Sequence, residues 1–326
     1  MKIDIHSHYL PQEFVDLLAA GESKCQAKLV EKEGGRWVSH VQGYTYPLQA
    51  GFSNPEERIK DMDRAGLDLA VLSVAPPLFY YWADKDFAAR IARLVNRSIS
   101  EQVKAYPHKF MGMGSVPMQD PALAVDELHY CVEELGFKAV QIGSNVEGEQ
   151  YDEPRFLPFF KACEKLQVFV VLHPYYVGAK GSFNKYYLTN LIGNPLDSLM
   201  AIASLIFGGV MEECPSLKIC LAHGGGFLPY QFGRLEHGYH VRPEPKARNV
   251  GPPSHYLPRI YYDSILFSAK ALQFLVNFSG ASQVLMGTDY PFDMGEADPV
   301  GLVTGCGITS SDAAMVLGGN AMKLFR

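Results

Sequence analysis

The chain has 326 residues, a formal net charge of −6, 48% hydrophobic and 20% charged residues, which describes a well-cored globular protein of one large domain or two average ones. The acidic balance argues against a nucleic-acid groove, and the lack of an apolar run of about 18 residues argues against a transmembrane helix. No basic-then-apolar leader opens the chain, and the six scattered cysteines (Cys25, Cys131, Cys163, Cys214, Cys220, Cys306) form no C-x-x-C pair, so they read as buried thiols of a cytoplasmic protein.

In chain order, short apolar runs closed by turn residues predict eight strands, at 2–6, 68–75, 110–116, 138–143, 168–173, 218–223, 259–265 and 283–289. The first runs into "HSH". Alternate residues of a strand face one side, so His6 and His8 either share one ion or are two ordinary strand-end histidines. Residues 20–53 hold short alternating runs split by Gly34-Gly35 and Gly43, which predicts a small β-hairpin insertion over whatever the first strand points at. A helix over 55–66 follows, with Asn54 as its cap and Pro55 at its first position. The helix at 86–107 puts Phe87, Ile91, Leu94, Val95 and Ile99 on one face. Further helices are expected at 121–136, 155–167 and 268–280, and a long, nearly all-round apolar one at 194–215 that should be buried.

Eight near-continuous apolar strands alternating with helices predict a single domain over 1–326, an α/β (β/α)8 TIM barrel with the insertion after strand one. An open doubly wound sheet is the alternative. It would show a glycine-rich loop after the first strand, where this chain has "HSHYLPQ".

In a parallel barrel the chemistry sits at the C-terminal ends of the strands. His6 and His8 end strand one, His173 ends strand five in "VVLHP", His223 ends strand six in "LAHGGG", and Asp289 ends strand eight in "MGTDYPF". A lone histidine at a strand end is more often structural, but five such groups converging on one end of one barrel point to a metal centre. Imidazoles with one carboxylate suit Zn²⁺, with Fe, Mn or Co as alternatives. Strand four ends "VQIGSN", which offers no good bridging anion, so one ion is expected and one histidine is freed from ligation. His223, before Gly224–Gly226, is the candidate. Cys214 and Cys220 are too isolated to complete a second metal set.

The pattern resembles the amidohydrolase superfamily. "MKIDIHSH", "NPEERIKDMD", "ELGFKAVQIGSNV", "FGGVMEECPSLKICLAHGGGFLPYQFGRLEHGYHVRP" and "LMGTDYPFDMGE" are similar to its α-amino-β-carboxymuconate-ε-semialdehyde decarboxylase-like, metal-dependent decarboxylase subfamily, across nearly the whole chain. The resemblance implies one Zn²⁺ held by His6, His8, His173 and Asp289, with His223 as acid/base rather than ligand. It implies that Arg234, in "GRLEHG", reaches the substrate carboxylate of a neighbouring subunit in a homodimer, and that Arg242 lies near the site. The family's second carboxylate-binding arginine has no counterpart in "GYTYPLQAGFSNP", where Tyr44 or Tyr46 occupies that neighbourhood, so a substrate with one carboxylate, or with a phenol or amide in place of the second, is expected.

The reaction expected is non-oxidative decarboxylation of an unsaturated or aromatic carboxylic acid, with Asp289 moving a proton to the carbon that loses CO2 and Tyr46, Trp82 and Phe292 contacting a flat substrate. Trp82 and Phe292 are equally readable as packing at the barrel rim. Hydrolysis of a lactone, amide or ester needs the same metal centre and is the alternative activity. Hydration of an unsaturated acid is a third. A non-enzymatic relative would show a damaged metal set, and all five positions are intact.

Overall fold

The computed structural model describes residues 1–175, 183–248 and 251–325. Its strands are β1 (Ile3–Tyr9), β2 (Ala27–Lys32), β3 (Gly35–His40), β4 (Thr45–Pro47), β5 (Leu69–Val74), β6 (Phe110–Gly112), β7 (Gly114–Ser115), β8 (Ala139–Gly143), β9 (Phe169–His173), β10 (Ile219–Leu221), β11 (Ile260–Asp263) and β12 (Val284–Leu285). β1, β5 and β6 pair in parallel, as do β7 through β12 in sequence order.

Two seams close these sheets into one barrel. β6 and β7 are halves of a single predicted strand, interrupted at Met113, whose N–H donates to the Leu72 carbonyl at 3.0 Å. Past β12 the chain runs irregularly beside β1: Ile5 N–H donates to Met286 O at 2.9 Å, Asp289 N–H to His6 O at 2.8 Å and His8 N–H to Tyr290 O at 2.6 Å. Counting β6 and β7 as one, the eight staves of a (β/α)8 barrel stand where the apolar runs placed them.

Alternation along the staves fills the barrel interior with Ile3, Ile5, Leu69, Val71, Phe169, Val171 and Leu285, and the C-terminal Phe325 packs against this cluster. A larger core lies between the barrel and its helices. The helix Pro55–Arg64 begins as the sequence indicates: the Asn54 side chain accepts from Glu56 N at 3.0 Å and Glu57 N at 3.3 Å, with Pro55 at the first position. All six cysteines are free and buried.

The apolar stretch expected as one helix over 194–215 divides in two. It stops at Phe207, Gly209 takes φ 84°, and a short helix Val210–Glu213 follows. A Cβ at Gly208 would fall 2.1 Å from that of Asp152, so the break is also where the chain passes closest to its neighbour. Nor is the first part buried all round. Asp197, Ser198, Ala201, Ile202, Leu205 and Ile206 face the barrel, while Met200 and the preceding Leu191 are exposed. The 19 residues Thr189–Phe207 are long and apolar enough to cross a bilayer by length and composition alone, although Asn190, Asn194 and Asp197 interrupt the apolar run. Here they are tied to the barrel through Asp197, which accepts hydrogen bonds from Ser144, Asn145 and the Tyr175 N–H.

Residues 27–47 form a three-stranded antiparallel sheet, β2-β3-β4, with Val38 opposite both Leu29 and Tyr46. It has one strand more than the expected hairpin.

Candidate active site

β1 carries two of the site histidines, but simple alternation would turn them away from Ile5. The pairing of β1 with β5 shifts register between Asp4 and Ser7, and past this irregularity His6 and His8 point into the barrel. Their ring centroids lie 4.8 Å apart. His173 at the end of β9 meets them at 5.1 Å from each ring. Asp289 arrives from the irregular segment beside β1 with φ 65°, a left-handed turn that aims its carboxylate inward. Ligand atoms of His6, His8, His173 and Asp289 all lie within 4.8 Å of one another, and all four residues are buried.

The hydrogen bonds behind the rings fix which nitrogen faces the centre. His8 Nδ1 lies 3.1 Å from the Val74 carbonyl and His173 Nδ1 lies 2.8 Å from the Pro174 carbonyl. A carbonyl oxygen can only accept, so each Nδ1 carries the proton and each Nε2 presents a lone pair. His6 Nδ1 donates to Asp263 Oδ2 at 2.7 Å. The Nε2 atoms of His6 and His8 then face each other at 3.0 Å, with Asp289 Oδ1 2.8 Å from the latter. His173 Nε2 is buried with no partner among the described residues. Lone pairs crowded together without donors are unfavourable unless a cation lies among them. The residues present therefore fit a divalent metal ion, with imidazole and carboxylate donors suited to Zn²⁺ or Mn²⁺.

The charge states of His8 and His173 agree. Burial would lower His6, but the Asp263 hydrogen bond and the nearby carboxylates raise it above its ordinary value, so it holds a proton that a bound cation would displace. Burial lowers the His8 imidazole below its ordinary value, and burial with the neighbouring His6, His223 and His8 rings holds His173 far below it, so both are neutral ligands. Burial would raise the Asp289 carboxyl, but the contact with His223 and the neighbouring imidazoles outweighs it and keeps it well below the carboxylate range. Asp263 follows the same logic through His6: burial raises it, and the His6 hydrogen bond brings it below its usual value.

His223 stands differently. Its Nε2 is 3.5 Å from Asp289 Oδ2, on the far side of the carboxylate from His8. Its side chain is 18% exposed where those of His6 and His8 are 1% or less, so it opens to the cavity. The backbone at His223 has φ 55°, held by its own N–H and that of Gly224 donating to Asp263 at 2.9 and 2.8 Å. At Gly226 (φ 58°) a Cβ would lie 2.3 Å from the Pro195 carbonyl, so this turn must be glycine to pass under the helix Asn194–Phe207.

Above the cluster lies a cavity of about 540 Å³ lined by His173, His223 and Asp289 below, Phe292, Pro76 and Pro77 at the sides, and Trp37, Tyr44 and Tyr46 from the β2-β3-β4 sheet. Phe292 packs on His8 at 5.1 Å and on Phe52 at 5.1 Å. The remaining expected substrate contacts lie elsewhere in this chain. Trp82 is half-buried, packs on Tyr80 at 4.9 Å against the edge of the core and does not line the cavity. Arg242 is exposed and paired with Glu244, and Arg234 is exposed on the helix Leu228–Val241.

Two residues at the site escaped the sequence reading. Asp263 ends β11, the seventh stave, and braces His6 from behind while capping the His223 turn. Its signal was available, a carboxylate at a strand's C-terminal end, but it was hidden in "YYDSI". Arg58 is buried in the helix Pro55–Arg64 and donates to the Ser7 hydroxyl at 3.1 Å and to the His8 carbonyl, which fixes the β1 terminus. Replacing Asp263 with asparagine removes the ionised acceptor behind His6, and metal affinity should fall roughly 10- to 100-fold. Competition with a chelator checks this; an unchanged affinity would remove Asp263 from the metal's support.

A barrel with buried imidazoles and a carboxylate converging at the C-terminal ends of its strands defines a class, and comparison with known families agrees: the chain belongs to the amidohydrolase family, whose profile it matches over residues 3–326. Within that family its similarity is to decarboxylases. The 2-amino-3-carboxymuconate-6-semialdehyde decarboxylase of Dictyostelium discoideum is 36% identical over 334 aligned positions, covering 99% of this chain and 91% of that one. Among solved structures, 5-carboxyvanillate decarboxylase LigW from Sphingomonas paucimobilis superposes with a TM-score of 0.85 at 25% identity, covering 100% and 98% of the two chains. Dihydroxybenzoic acid decarboxylase from Polaromonas sp. JS666, with bound manganese and the inhibitor 2-nitroresorcinol, gives 0.82 at 25% identity, covering 99% and 96%. The protein is thus a metal-dependent enzyme of the carboxy-lyase branch.

Proposed function

We propose that the protein catalyses non-oxidative decarboxylation of a small aromatic or unsaturated carboxylic acid, with one divalent ion held by His6, His8 and His173 Nε2 and by Asp289. The observation that carries this is the cluster of inward lone pairs at the floor of a cavity walled by flat, apolar groups. Zn²⁺ is the ion proposed, on its preference for such a donor set; the manganese in the Polaromonas relative makes Mn²⁺ the competing choice. When bound, the ion supplies Lewis acidity to the substrate's oxygens and so orients the carboxylate.

The chain's own groups handle the proton. His223 Nε2, open to the cavity and 3.5 Å from Asp289 Oδ2, passes a proton to that carboxylate. Asp289 delivers it to the substrate carbon that bears the carboxylate. The bond from that carbon to the carboxylate then breaks, its electron pair restores the conjugated system, and CO2 leaves. Phe292 and Tyr46 hold the flat substrate against the site and exclude water.

The reading takes residues 1–326 as one catalytic domain, with 20–53 as its cover, acting in the cytoplasm. It includes a homodimer: Arg234, which lines no part of its own chain's cavity, would serve the neighbouring chain's substrate, and exposed Tyr186, Leu191, Met200 and Tyr230 offer apolar area for the contact. The test is CO2 release from a panel of hydroxybenzoic and unsaturated acids, run beside lactone, amide and ester hydrolysis. Stoichiometric CO2 is expected; hydrolysis without CO2 release from any acid would assign the alternative amidohydrolase chemistry.

A further inference from the structure

Four residues past Asp289 the cavity wall carries a carboxylate that the mechanism does not use. Asp293 is exposed, lines the cavity, and has no hydrogen-bond or ion-pair partner for its side chain among the described residues. The turn that presents it is fixed on both sides: Phe292 N–H donates to Asp289 O at 3.1 Å and Gly295 N–H to Phe292 O at 3.0 Å. The Tyr187 phenol, also on the cavity wall, is raised above its ordinary value by burial and then by the Asp293 and Asp289 carboxylates. One hydroxyl thus feels both charges, so the field of Asp293 reaches into the space above the metal cluster.

Among the described residues, no lysine or arginine lines the cavity to offset it. Lys32 packs on the Trp37 ring at 4.2 Å, but its Nζ is paired with Glu33 at 3.2 Å. Tyr44, another wall residue, is raised by burial and then by the carboxylate of Glu147, which adds negative charge on that side. The charges of the reading above balance with one substrate carboxylate. The divalent ion and an Arg234 from a neighbouring chain carry three positive charges, and Asp289, Asp293 and that one carboxylate carry three negative ones. A second substrate carboxylate is left unmatched near Asp293, and like charges brought together in a partly closed site repel.

We propose that Asp293 is a specificity-determining residue that turns away acids with a second carboxylate and admits those whose further substituent is uncharged or cationic, such as an amide, a phenol or an amine. This rests on the aromatic-acid reading above and narrows it. Asp293 acts through charge at a distance, so no single contact between it and the substrate is required. Discrimination of this kind adds a repulsive element against the wrong substrate rather than a grip on the right one.

The experiment is calorimetric titration of the Zn²⁺-loaded full-length protein at low salt with two probes of the same shape, isophthalate and its mono-amide 3-carbamoylbenzoate. The readout is the ratio of their affinities, corrected for the two equivalent carboxylates of isophthalate. Wild-type protein should favour the amide. Asp293→Asn, which keeps the shape and removes the charge, should move the ratio about threefold toward isophthalate, the effect of one unit charge about 7 Å away through water. Asp293→Lys should move it about threefold further, by the same reckoning. At about 1 M salt, where charges are screened within roughly 3 Å, both variants and the wild type should converge. A ratio unmoved in both variants, a shift that persists at high salt, or wild-type protein that favours isophthalate would overturn the proposal while leaving the aromatic-acid reading in place. Wild-type protein that binds neither probe would instead sink that reading, and this inference with it.

Discussion

Replacing His223 with alanine should leave the bound metal in place and lower turnover roughly 100- to 10,000-fold, the range over which a positioned acid or base accelerates proton transfer. The expectation follows from where the ring stands. Its Nε2 approaches Asp289 from the Oδ2 side at 3.5 Å, whereas His8 Nε2 meets Oδ1 at 2.8 Å on the other. It opens to the cavity, so a proton can reach it from the substrate side. Its loss removes the His223 contact that helps keep Asp289 ionised, so Asp289 should also bind its proton more readily in the variant. Metal content by elemental analysis and CO2 release on the same preparation measure both halves. Loss of metal along with activity would make His223 a ligand and overturn the division of roles.

Replacing His8 with alanine should have the larger effect, on metal and on turnover together. His8 Nε2 is in contact with both His6 Nε2 and Asp289 Oδ1, at 3.0 and 2.8 Å, so it stands between two of the other donors. The variant should lose more metal affinity than the roughly 10- to 100-fold that follows when only a ligand's supporting hydrogen bond is removed. Activity should vanish with the metal and return only in part at high metal concentration. Chelator competition and a metal-titrated rate measurement check this; full activity with metal retained would exclude His8 from the centre.

Much of this architecture could be read in the sequence because a parallel barrel repeats one physical unit. Each stave is buried on both faces and shows as a short apolar run, and each polar residue at the end of such a run is conspicuous. His6, His8, His173, His223 and Asp289 stood out for that reason. Asp263 did not, although it obeys the same rule, because it lies among tyrosines and contributes by holding His6 and the His223 turn rather than by facing the cavity. Arg58 was invisible for a different cause: a charged residue in an amphipathic helix reads as solvent-facing, and only the packed structure shows it bonded to the His8 carbonyl. The break at Gly208-Gly209 was passed over because hydrophobic periodicity continues through it, while the close approach of Asp152 that demands it is a tertiary contact. The inward turn of both β1 histidines likewise depends on a register shift that no alternation pattern encodes.

The account stands on a single cation gripped by His6, His8, His173 and Asp289. Elemental analysis combined with anomalous diffraction at the metal edge tests this directly. One ion per chain, within coordination distance of the three Nε2 atoms and the Asp289 carboxylate, and with His223 outside that sphere, is the predicted result. Two ions per chain, or a single ion bound away from these side chains, would contradict it.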